Sequence, residues 1–422
     1  MKISIIGAGY VGLVTGVCFA DKGHEVICVD VDSEKVDKIN KGIAPIHEED
    51  LSEMLKRNKE RLTATTDYKV ALSQSNITFI CVGTPSRTDG SIDLSYVKEA
   101  TRIIGQFIDK WHLIVVKSTV VPGTTRNIII PLLEKVSGKK EGKDFSVAMN
   151  PEFLREGKAI HDFQYPDRIV IGTLDKKSSD LLQKIYTGID APLVNVSPTV
   201  AEMIKYASNA LLATKISFTN EIGNVCKKLD IDVYDVMNAV GMDHRISPHF
   251  LQAGAGFGGS CFPKDVAALV SHGCTKGLDM FLLNAVMKVN DNQPLIMLEI
   301  LRKHVSTIKG QKIAVLGLAF KPGTDDIRES RSIPLIRELL HKEARVAAFD
   351  PIASSNMEKV FPHIDYPSSV PEALKDAMGC LILTGWKEFA DIDFSPMKKP
   401  VVIDGRHIIK TQKDIIYEGL CW

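Results

Sequence analysis

One loop near the start of the chain constrains its fold more than any other feature. Gly7, Gly9 and Gly12 form the spacing G-x-G-x-x-G directly after the apolar run KISII, and an apolar helical segment follows. In such a loop the first glycine allows a tight turn, the second lets the backbone approach a pyrophosphate, and the third lets the helix pack against the strand. The loop therefore predicts a dinucleotide-binding α/β unit in which the helix N-terminus faces the phosphates.

The next apolar run, EVICV, leads into Asp30, which supports the same reading. A carboxylate at this point of a dinucleotide-binding unit holds the ribose hydroxyls and repels a 2′-phosphate, so Asp30 favours NAD over NADP. Lys35 follows nearby, either as a solvated helix charge or as a contact on the ribose or adenine side. Flavin-binding domains share this fingerprint, so the identity of the cofactor depends on the rest of the chain.

Continuous apolar runs separated by helical segments fill the N-terminal part of the chain, as in NITFICVG, LIVVKSTV, FSVAMNPEF and RIVIG. Runs of this kind are typical of parallel strands that are buried on both faces. From Thr199 the pattern changes to helical spacing and predicts one long helix followed by shorter ones. Strand patterns return with QKIAVLGLAF, RVAAFD, CLILTGW and VVIDG, but without a second G-x-G-x-x-G.

We therefore expect an α/β protein with two Rossmann-like, doubly wound parallel-sheet domains joined by a central helical domain with a long helix. The predicted boundaries are 1–198 for the NAD-binding domain, 199–305 for the helical domain and 306–422 for the second α/β domain. A chain of 422 residues is long enough for two or three such domains.

Charge and hydropathy exclude several classes of function. Lys plus Arg and Asp plus Glu both number 52, and this balance does not favour a nucleic-acid partner. We find no apolar run long enough to span a bilayer, which predicts no membrane partner. The glycines interrupt the apolar N-terminus, so we interpret it as a strand of the fold rather than a signal peptide and expect a cytoplasmic protein.

The eight cysteines do not form a dense framework of the kind that disulfide-rich secreted domains carry. Cys18, Cys28, Cys81 and Cys380 lie in apolar patterns and are predicted to be core residues. Cys421, next to the end of the chain, is expected to be exposed. No CxxC or HExxH pattern indicates a metal site, so none is predicted.

Cys261 stands apart from these cysteines because of the segment GFGGSCFPKD that surrounds it. Pro263 suits the first turn of a helix, which places Cys261 at the N-terminus of that helix with Lys264 close by. A helix N-terminus and a nearby cation both favour a thiolate, so Cys261 is a candidate nucleophile. The alternative is a small residue in a glycine-rich loop.

Taken together, several stretches resemble the UDP-glucose/GDP-mannose dehydrogenase family along essentially the whole chain. The stretches that carry the resemblance are IGAGYVG, CVGTP, KSTVVPGT, NPEFLREG, PDRIVIG, AEMIKYASNA, FGGSCFPKD and KPGTDDIRES. The resemblance implies two successive oxidations of a sugar C6 alcohol, with one NAD reduced in each. It also implies that a thiolate captures the aldehyde and that the resulting thioester is hydrolysed to the uronic acid.

The resemblance assigns the nucleophile to Cys261 and the oxyanion contacts to Lys205 and Asn209, which lie four residues apart and so share a helix face. Lys205 is also the implied base of the first oxidation. Asp265 and Thr119 match residues that handle water and the reacting oxygen, and Glu152 matches the acid/base of thioester hydrolysis. Taken alone, Glu152 and Glu156 would be more typical of a solvated helical turn.

Binding contacts follow from the glycine loop and the resemblance together. The predicted cofactor contacts are Gly7, Gly9, Tyr10, Val11, Gly12, Asp30, Lys35, Thr84, Thr119, Glu156, Lys264 and Arg328. The implied substrate contacts are Glu152, Phe153, Leu154, Arg155, Glu156, Lys205, Asn209, Arg245, Phe250, Leu251, Gln252, Ala253, Gly254, Gly258 and Lys321. Arg245 resembles an arginine that members of this family can offer to the substrate of a neighbouring subunit.

The stretches NPEFLREG and PDRIVIG resemble the UDP-glucose branch of the family, so UDP-glucose is the expected substrate. GDP-mannose and UDP-N-acetylhexosamines are the alternatives within the same chemistry. A two-electron hydroxy-acid dehydrogenase would not need Cys261, and a non-catalytic NAD-binding regulator would not need Cys261, Lys205, Asn209 and Asp265 together. The long central helix is expected to be apolar on more than one face, which predicts a homodimer.

Overall fold

The computed structural model of this chain describes residues 1–410 and 414–422. Within them the chain forms two compact units, Met1–Ser208 and Asn209–Trp422. Each unit contains one predominantly or wholly parallel β-sheet, and a helical region lies between the two sheets along the sequence. The predicted α/β class with a central helical region is thus confirmed.

The sheet of the first unit has the strand order β3-β2-β1-β4-β5-β6-β7-β8. Its neighbouring strands are parallel except β6 and β7, which pair antiparallel through Met149 and Gly172. The strands are β1 (Lys2–Ile6), β2 (Glu25–Val29), β3 (Leu62–Thr65), β4 (Ile77–Ile80), β5 (His112–Val116), β6 (Phe145–Met149), β7 (Ile169–Gly172) and β8 (Leu193–Val196).

Helices cover this sheet and bury its apolar side chains. They are α1 (Tyr10–Asp21), α2 (Ser33–Asn40), α3 (Leu51–Arg57), α4 (Tyr68–Gln74), α5 (Ser95–Phe107), α6 (Ile130–Ser137), α7 (Ala159–Gln164) and α8 (Lys176–Ile185), with a π-helical segment, Thr125–Ile129, leading into α6. The Phe19 ring of α1 packs against the rings of Phe79, Phe163 and Tyr186 at centroid distances of 5.2, 5.4 and 5.6 Å. This aromatic cluster fixes the helix that follows the glycine loop against the sheet.

The predicted long helix is α9, Pro198–Lys228, and the division between the two compact units falls within it. The rest of the helical region consists of α10 (Val233–Gly241), α11 (Phe262–Cys274) and α12 (Phe281–His304). Pro294 lies inside α12 and has no N–H to donate to the carbonyl group of Asn290. In the described part of the chain, none of the helices combines the length and apolar character needed to span a membrane.

The second sheet has the order β10-β9-β11-β12-β13, and its paired strands are parallel. Its strands are β9 (Lys312–Leu316), β10 (Arg345–Phe349), β11 (Gly379–Ile382), β12 (Val401–Asp404) and β13 (Ile416–Gly419). Its helices are α13 (Ser332–His341), α14 (Ser354–Glu358) and α15 (Val370–Leu374), with a 3-10 turn at Lys387–Phe389.

Four of the cysteine predictions are confirmed and one is wrong. Cys18, Cys28, Cys81 and Cys380 are buried, and all eight cysteines are free thiols. Cys421, expected at the surface, is 0% exposed. Its side chain packs against Gly223 of α9, which has no Cβ to obstruct it, and its thiol accepts a hydrogen bond from the amide of Gln293.

Candidate active site

The glycine loop lies between β1 and α1, as predicted. Gly7 has φ +95° and donates its N–H to the carbonyl of Val29 at 2.7 Å. A Cβ on Gly12 would lie 1.9 Å from the carbonyl oxygen of Gly7, so only glycine allows the helix to start this close to the strand. A Cβ on Gly9 would meet no protein atom within 4 Å. Gly9 therefore leaves open space at the helix N-terminus, which fits the pyrophosphate of a dinucleotide.

Asp30 lies directly after β2 and closes one side of this loop. Its Oδ2 accepts hydrogen bonds from Ala8 N at 2.9 Å and Lys35 Nζ at 3.1 Å, and its Oδ1 accepts one from Asp32 N at 3.1 Å. The Lys35 ammonium is thus an ion-pair partner of Asp30 and not simply a solvated charge. The carboxylate stays at the edge of the loop, where it fits ribose hydroxyls.

The other predicted cofactor contacts of this unit follow the carboxyl ends of neighbouring strands or the start of α1. Thr84 lies after β4 and Thr119 after β5, while Tyr10 and Val11 begin α1. The Tyr10 hydroxyl donates to the carboxylate of Glu48. Glu48 also accepts from the backbone N–H groups of Gly157 and Ala159 at 2.8 and 2.6 Å. Glu48, which the sequence analysis did not single out, therefore ties the first helix to the NPEFLREG segment.

Within the first unit, Glu152 and Lys205 form a buried ion pair. Lys205 Nζ lies 2.8 Å from Glu152 Oε1, and the two side chains are 4% and 6% exposed. Glu152 Oε2 also accepts from Leu154 N at 2.6 Å. Burial acts to raise the pKa of Glu152, but the Lys205 ammonium outweighs it and holds this pKa below its ordinary value. Residues 150–155 are not helical, so the interpretation of Glu152 as part of a solvated helical turn is wrong.

A second buried lysine, Lys117, accompanies this pair and was missed in the sequence. Its Nζ donates to Asn150 Oδ1 at 3.1 Å. Burial lowers the pKa of Lys117 to about 8; the Cys81 thiol and Glu152 act in the opposite direction, and Lys205 adds to the lowering. Lys117 begins the KSTV stretch, which was the available signal, but apolar periodicity says nothing about where a lysine at a strand end will point.

The residues between β6 and α7 have structural contacts of their own. The Phe153 ring lies under the Arg168 guanidinium, 4.0 Å from its centroid, and Lys205 Nζ is 5.4 Å from the same centroid. The Arg155 guanidinium pairs with the carboxylate of Asp162 at 2.6 and 2.8 Å. Leu154 and Glu156 belong to the same loop and are half-buried. These contacts fix the loop that the sequence assigned to substrate.

In the second unit, Cys261 occupies the cap position immediately before α11, as predicted, with Pro263 in the first turn. Its side chain is half-buried, and Ser260 Oγ lies 3.7 Å from its sulfur. The free N–H groups at a helix N-terminus stabilise a negative charge on such a thiol. Asp265 donates its backbone N–H to the carbonyl of Cys261 at 2.8 Å, which fixes the turn that carries the thiol.

The Asp265 carboxylate is 1% exposed and has two side-chain partners. Asn209 Nδ2 donates to it at 2.6 Å, and Lys264 Nζ lies 2.5 Å from its other oxygen. Asn209, predicted as an oxyanion donor, thus uses its amide group on Asp265. Lys264, predicted as a cofactor contact, is likewise paired with Asp265 here.

The stretch 250–259 carries the predicted nucleotide-sugar contacts and has a strained, closely packed backbone. Phe250 adopts φ +64°, which is rare for a bulky side chain. Leu251 and Ala253 are buried, while Gln252 is exposed. A Cβ on Gly254 would lie 2.4 Å from the carbonyl of Gly405, and one on Gly258 would lie 2.3 Å from that of Glu329. At Gly254 and Gly258 this backbone therefore lies against loops of the second sheet and leaves no room for a side chain.

Three basic residues that the resemblance assigned to ligands differ in their surroundings. Arg245 is 78% exposed and pairs with Asp243, so it is a surface residue of this chain. Arg328 pairs with Asp326 at 2.6 Å, and Lys321 Nζ lies 5.5 Å from the ring centroid of Phe320. Arg406, which no motif of the sequence indicated, donates to the carbonyl oxygens of Leu383 and Gly256. Burial lowers the pKa of Arg406 to about 10.

Across the described residues, no group of three or more His, Cys, Asp and Glu side chains is arranged to hold a metal ion. The chemistry available at these sites is that of a thiol at a helix N-terminus, a buried lysine–glutamate pair, a buried aspartate paired with an amide and a lysine, and a glycine loop that accommodates a dinucleotide.

Comparison with protein families gives three consecutive matches. Residues 1–190 match the NAD binding domain of the UDP-glucose/GDP-mannose dehydrogenase family, residues 199–292 its central domain and residues 314–411 its UDP binding domain. Together these matches cover well over half of the chain.

Individual relatives align over nearly the full length. The UDP-glucose 6-dehydrogenase AglM of Haloferax volcanii is 47% identical over 431 residues, which cover 100% of each protein. The structure of a UDP-glucose dehydrogenase from Pyrobaculum islandicum has a TM-score of 0.95 at 43% identity, covering 100% of this chain and 97% of that one. A UDP-D-ManNAc dehydrogenase from Pyrococcus horikoshii has a TM-score of 0.90 at 30% identity, with 100% and 99% covered.

Proposed function

Because this chain belongs to the UDP-glucose/GDP-mannose dehydrogenase family, we propose that it oxidises UDP-glucose to UDP-glucuronate in an NAD-dependent, four-electron reaction. The observation that carries this proposal is the half-buried thiol of Cys261 at the N-terminus of α11, in a chain that aligns end to end with a UDP-glucose 6-dehydrogenase. A two-electron alcohol dehydrogenase has no need of a nucleophile there.

NAD, when bound, accepts one hydride in each of the two oxidations. The glycine loop and Asp30 hold the cofactor, the loop through its open helix N-terminus and Asp30 through its carboxylate. Lys205, once it has released to water the proton that it carries in its ion pair with Glu152, takes the proton of the C6 hydroxyl in the first oxidation, and the ammonium restored in this way donates again to the Glu152 carboxylate. Thr119 positions the reacting oxygen.

The aldehyde is then attacked by the Cys261 thiolate, which forms a carbon–sulfur bond and leaves a negative charge on oxygen. Lys205 and Asn209 stabilise that charge as hydrogen-bond donors. Hydride loss from this thiohemiacetal gives a thioester. Water, deprotonated by Glu152 and oriented by Asp265, adds to the thioester carbonyl, and the carbon–sulfur bond breaks to release the uronic acid and the thiolate.

The three regions have separate roles in this proposal. Residues 1–198 bind NAD, residues 199–305 form the subunit contact and residues 306–422 bind the nucleotide part of the substrate. The matches to the family's NAD binding, central and UDP binding domains fall within these three regions and support the division. Free thiols throughout the chain support a reducing, cytoplasmic location.

A homodimer is part of the proposal. Leu211, Phe218 and Val225 recur every seven residues along α9 and are 63%, 52% and 54% exposed. Residues at this spacing share a helix face, and a second copy of the chain is the partner that would cover such an apolar row. Light scattering should give twice the mass of one chain, and Phe218→Glu should shift it toward the monomer.

The test of the reaction is the number of NADH molecules formed per UDP-glucose consumed at completion, with GDP-mannose and UDP-N-acetylglucosamine in parallel. We expect two NADH with UDP-glucose and little with the others. Cys261→Ser should abolish acid formation and leave NAD binding intact, since the thiol is not part of the glycine loop. One NADH per sugar, or normal turnover of Cys261→Ser, would refute the thioester route.

A second candidate substrate within the same chemistry is an N-acetylated UDP-hexose. The likeness to the UDP-D-ManNAc dehydrogenase, with a TM-score of 0.90, favours it over unrelated sugars. Two NADH with UDP-N-acetylmannosamine and none with UDP-glucose would keep the mechanism and replace the substrate.

A further inference from the structure

The backbone of Phe257, four residues before Cys261, is held by one side chain of α12. Asn290 Oδ1 accepts from Phe257 N at 2.7 Å, and Asn290 Nδ2 donates to Phe257 O at 3.0 Å. The amide of Asn290 therefore binds both polar groups of one residue, as a neighbouring strand would. Asn290 is 0% exposed, so water does not compete for either bond.

The sequence around this contact is shaped to allow it. Gly256 has φ +99°, and a Cβ on it would lie 2.5 Å from Asn290 Oδ1, so the amide reaches the backbone only because Gly256 has no side chain. Pro294 removes the usual helical hydrogen bond at the Asn290 carbonyl, which loosens α12 at the same turn. A buried side-chain amide costs free energy unless it is hydrogen-bonded, so the burial of Asn290 depends on its two bonds to Phe257.

Between Phe257 and the thiol lie Gly258, Gly259 and Ser260. Two consecutive glycines give the chain wide conformational freedom, which must be limited if Cys261 is to stay at the start of α11. Gly259 N donates to Arg328 O at 2.9 Å on one side of the pair, and Asn290 fixes Phe257 on the other.

We propose that Asn290 is a positioning residue, whose amide holds the glycine segment 256–259 in the one conformation that places Cys261 for attack on the substrate. The inference rests on the proposed function, because it assigns Cys261 a reacting partner. Asn290 itself touches neither thiol nor ligand in this proposal and acts through the backbone of Phe257.

The same helix offers a matched control. Gln293, one turn along α12, forms a reciprocal amide pair with Asn224 of α9, at 3.0 and 3.3 Å. Gln293 is also 0% exposed. The hydrogen bonds of Gln293 join it to Asn224 and to the Cys421 thiol rather than to segment 256–259, so Gln293→Leu removes a buried amide of the same kind outside the thiol's segment.

The experiment compares Asn290→Leu and Gln293→Leu in the full-length protein, in three measurements. Peptide-resolved hydrogen exchange reports on residues 254–261, iodoacetamide alkylation reports on access to Cys261, and kcat and KM for UDP-glucose report on the reaction. Loss of two buried hydrogen bonds should speed exchange and alkylation in Asn290→Leu by about tenfold. We expect kcat to fall by at least about tenfold with KM changed less.

Gln293→Leu should leave all three measurements within about twofold of the wild type, even if it lowers the thermal midpoint as much as Asn290→Leu does. If Asn290→Leu does not fold, Asn290→Asp replaces it, since its carboxyl group still accepts from Phe257 N but loses the donor. Equal exchange in the Asn290 and Gln293 variants, or faster exchange with unchanged kcat, would overturn the proposal.

Failure of the proposed function is distinguishable from failure of this inference. Alkylation and exchange at residues 254–261 are measured without substrate, so they test the Asn290 contact whatever the enzyme oxidises. If Cys261→Ser turns over normally while Asn290→Leu exposes the thiol, the thioester mechanism fails and the contact stands, but its role in positioning a nucleophile is refuted.

Discussion

The two α/β units contain the same turn, but the aspartate beside it has different hydrogen-bond partners in each unit. Gly7 and Gly317 both have positive φ, +95° and +89°, and both donate their N–H to the strand next door, at 2.7 and 2.8 Å. Asp30 and Asp350 then follow the second strand of their sheets. Through this shared turn, the carboxylate of each unit reaches back to the loop after its first strand.

The carboxylates differ in how much of their hydrogen-bonding capacity remains. Asp350, 3% exposed, accepts from the backbone N–H groups of four residues and from the indole of Trp386, all at 2.7 to 3.0 Å. Asp30 accepts from two backbone N–H groups and Lys35. In the second unit, donors of the protein itself thus occupy the carboxylate of the turn, and this carboxylate has a structural role. Such a turn can bind a ribose only where its carboxylate, like that of Asp30, keeps a lone pair for a ligand.

The largest expected effect is the loss of stability in Asp350→Ala. Five donors would lose their acceptor in a buried position, and we expect the free energy of unfolding to fall by about 4 kcal/mol. Urea denaturation of the two variants Asp350→Ala and Asp30→Ala measures the difference directly. A loss in Asp350→Ala no greater than that in Asp30→Ala would contradict the division into a structural and a binding carboxylate.

The second expected effect is a loss of stability in acid that arises in the first unit and has no counterpart in the second. In the first sheet Thr78 pairs in register with Ser4 and bonds the buried ring of His112 at 2.6 Å. The corresponding register pair of the second sheet, Ala314 and Cys380, carries no group that gains a proton in acid. Burial lowers the pKa of His112 to about 4, so the ring stays neutral in the folded chain.

The unfolded chain binds a proton at His112 below its ordinary pKa, whereas the folded chain does so only at far lower pH. The stability that the neutral ring contributes is therefore complete above the unfolded pKa and is lost as the pH falls from 6.5 toward 4. The loss amounts to about 3 kcal/mol. His112→Leu should flatten this part of the stability curve measured by urea denaturation, and His363→Leu, at an exposed site, should not. Parallel curves for His112→Leu and the wild type would rule out His112 as the cause.

The glycines of the first loop allow a third test. Gly9→Ala adds a methyl group where no protein atom lies within 4 Å, so the fold should keep its thermal midpoint. The methyl occupies the space for the pyrophosphate, and we expect the Kd of NAD to rise about a hundredfold. In the second unit Ala319 already has a methyl group at the equivalent position, so Ala319→Gly should leave NAD binding unchanged. Calorimetric titration measures the Kd of NAD, and thermal unfolding measures the midpoint. A Gly9→Ala variant with a lower midpoint and an unchanged Kd would contradict this prediction.

Residue patterns predicted the strands that are buried on both faces, because such strands are continuous apolar runs. They missed β3, β8 and β13, which lie at sheet edges and are only partly buried. A local pattern reports on burial and not on partners. Hence Cys261 was found from the proline and glycines beside it, whereas Lys117, Arg406 and Asn290 were missed.

The Glu152–Lys205 pair shows the same limit inside the predicted site. Each residue was named from its motif, but the two lie 53 positions apart and nothing local indicates a contact between them. The same holds for Asn209 and Asp265. The resemblance assigned separate roles to them, whereas in the structure a hydrogen bond of 2.6 Å joins them. Pairing over such separations depends on how strands and helices are connected in space, which the period of apolar residues does not encode.

The smallest expected effect concerns Asp30 itself and tests whether its spare capacity is used. Asp30→Ala removes the ribose acceptor and frees Lys35, and we expect the Kd of NAD to rise about tenfold. Asp32→Ala is the matched control, because Asp32 caps α2 through the N–H groups of Glu34 and Lys35. It should destabilise α2 by about 1 kcal/mol and leave the affinity for NAD nearly unchanged. If calorimetry gives both variants the same Kd, then Asp30 acts by holding the loop, as Asp350 does, and the two units differ in their glycines alone.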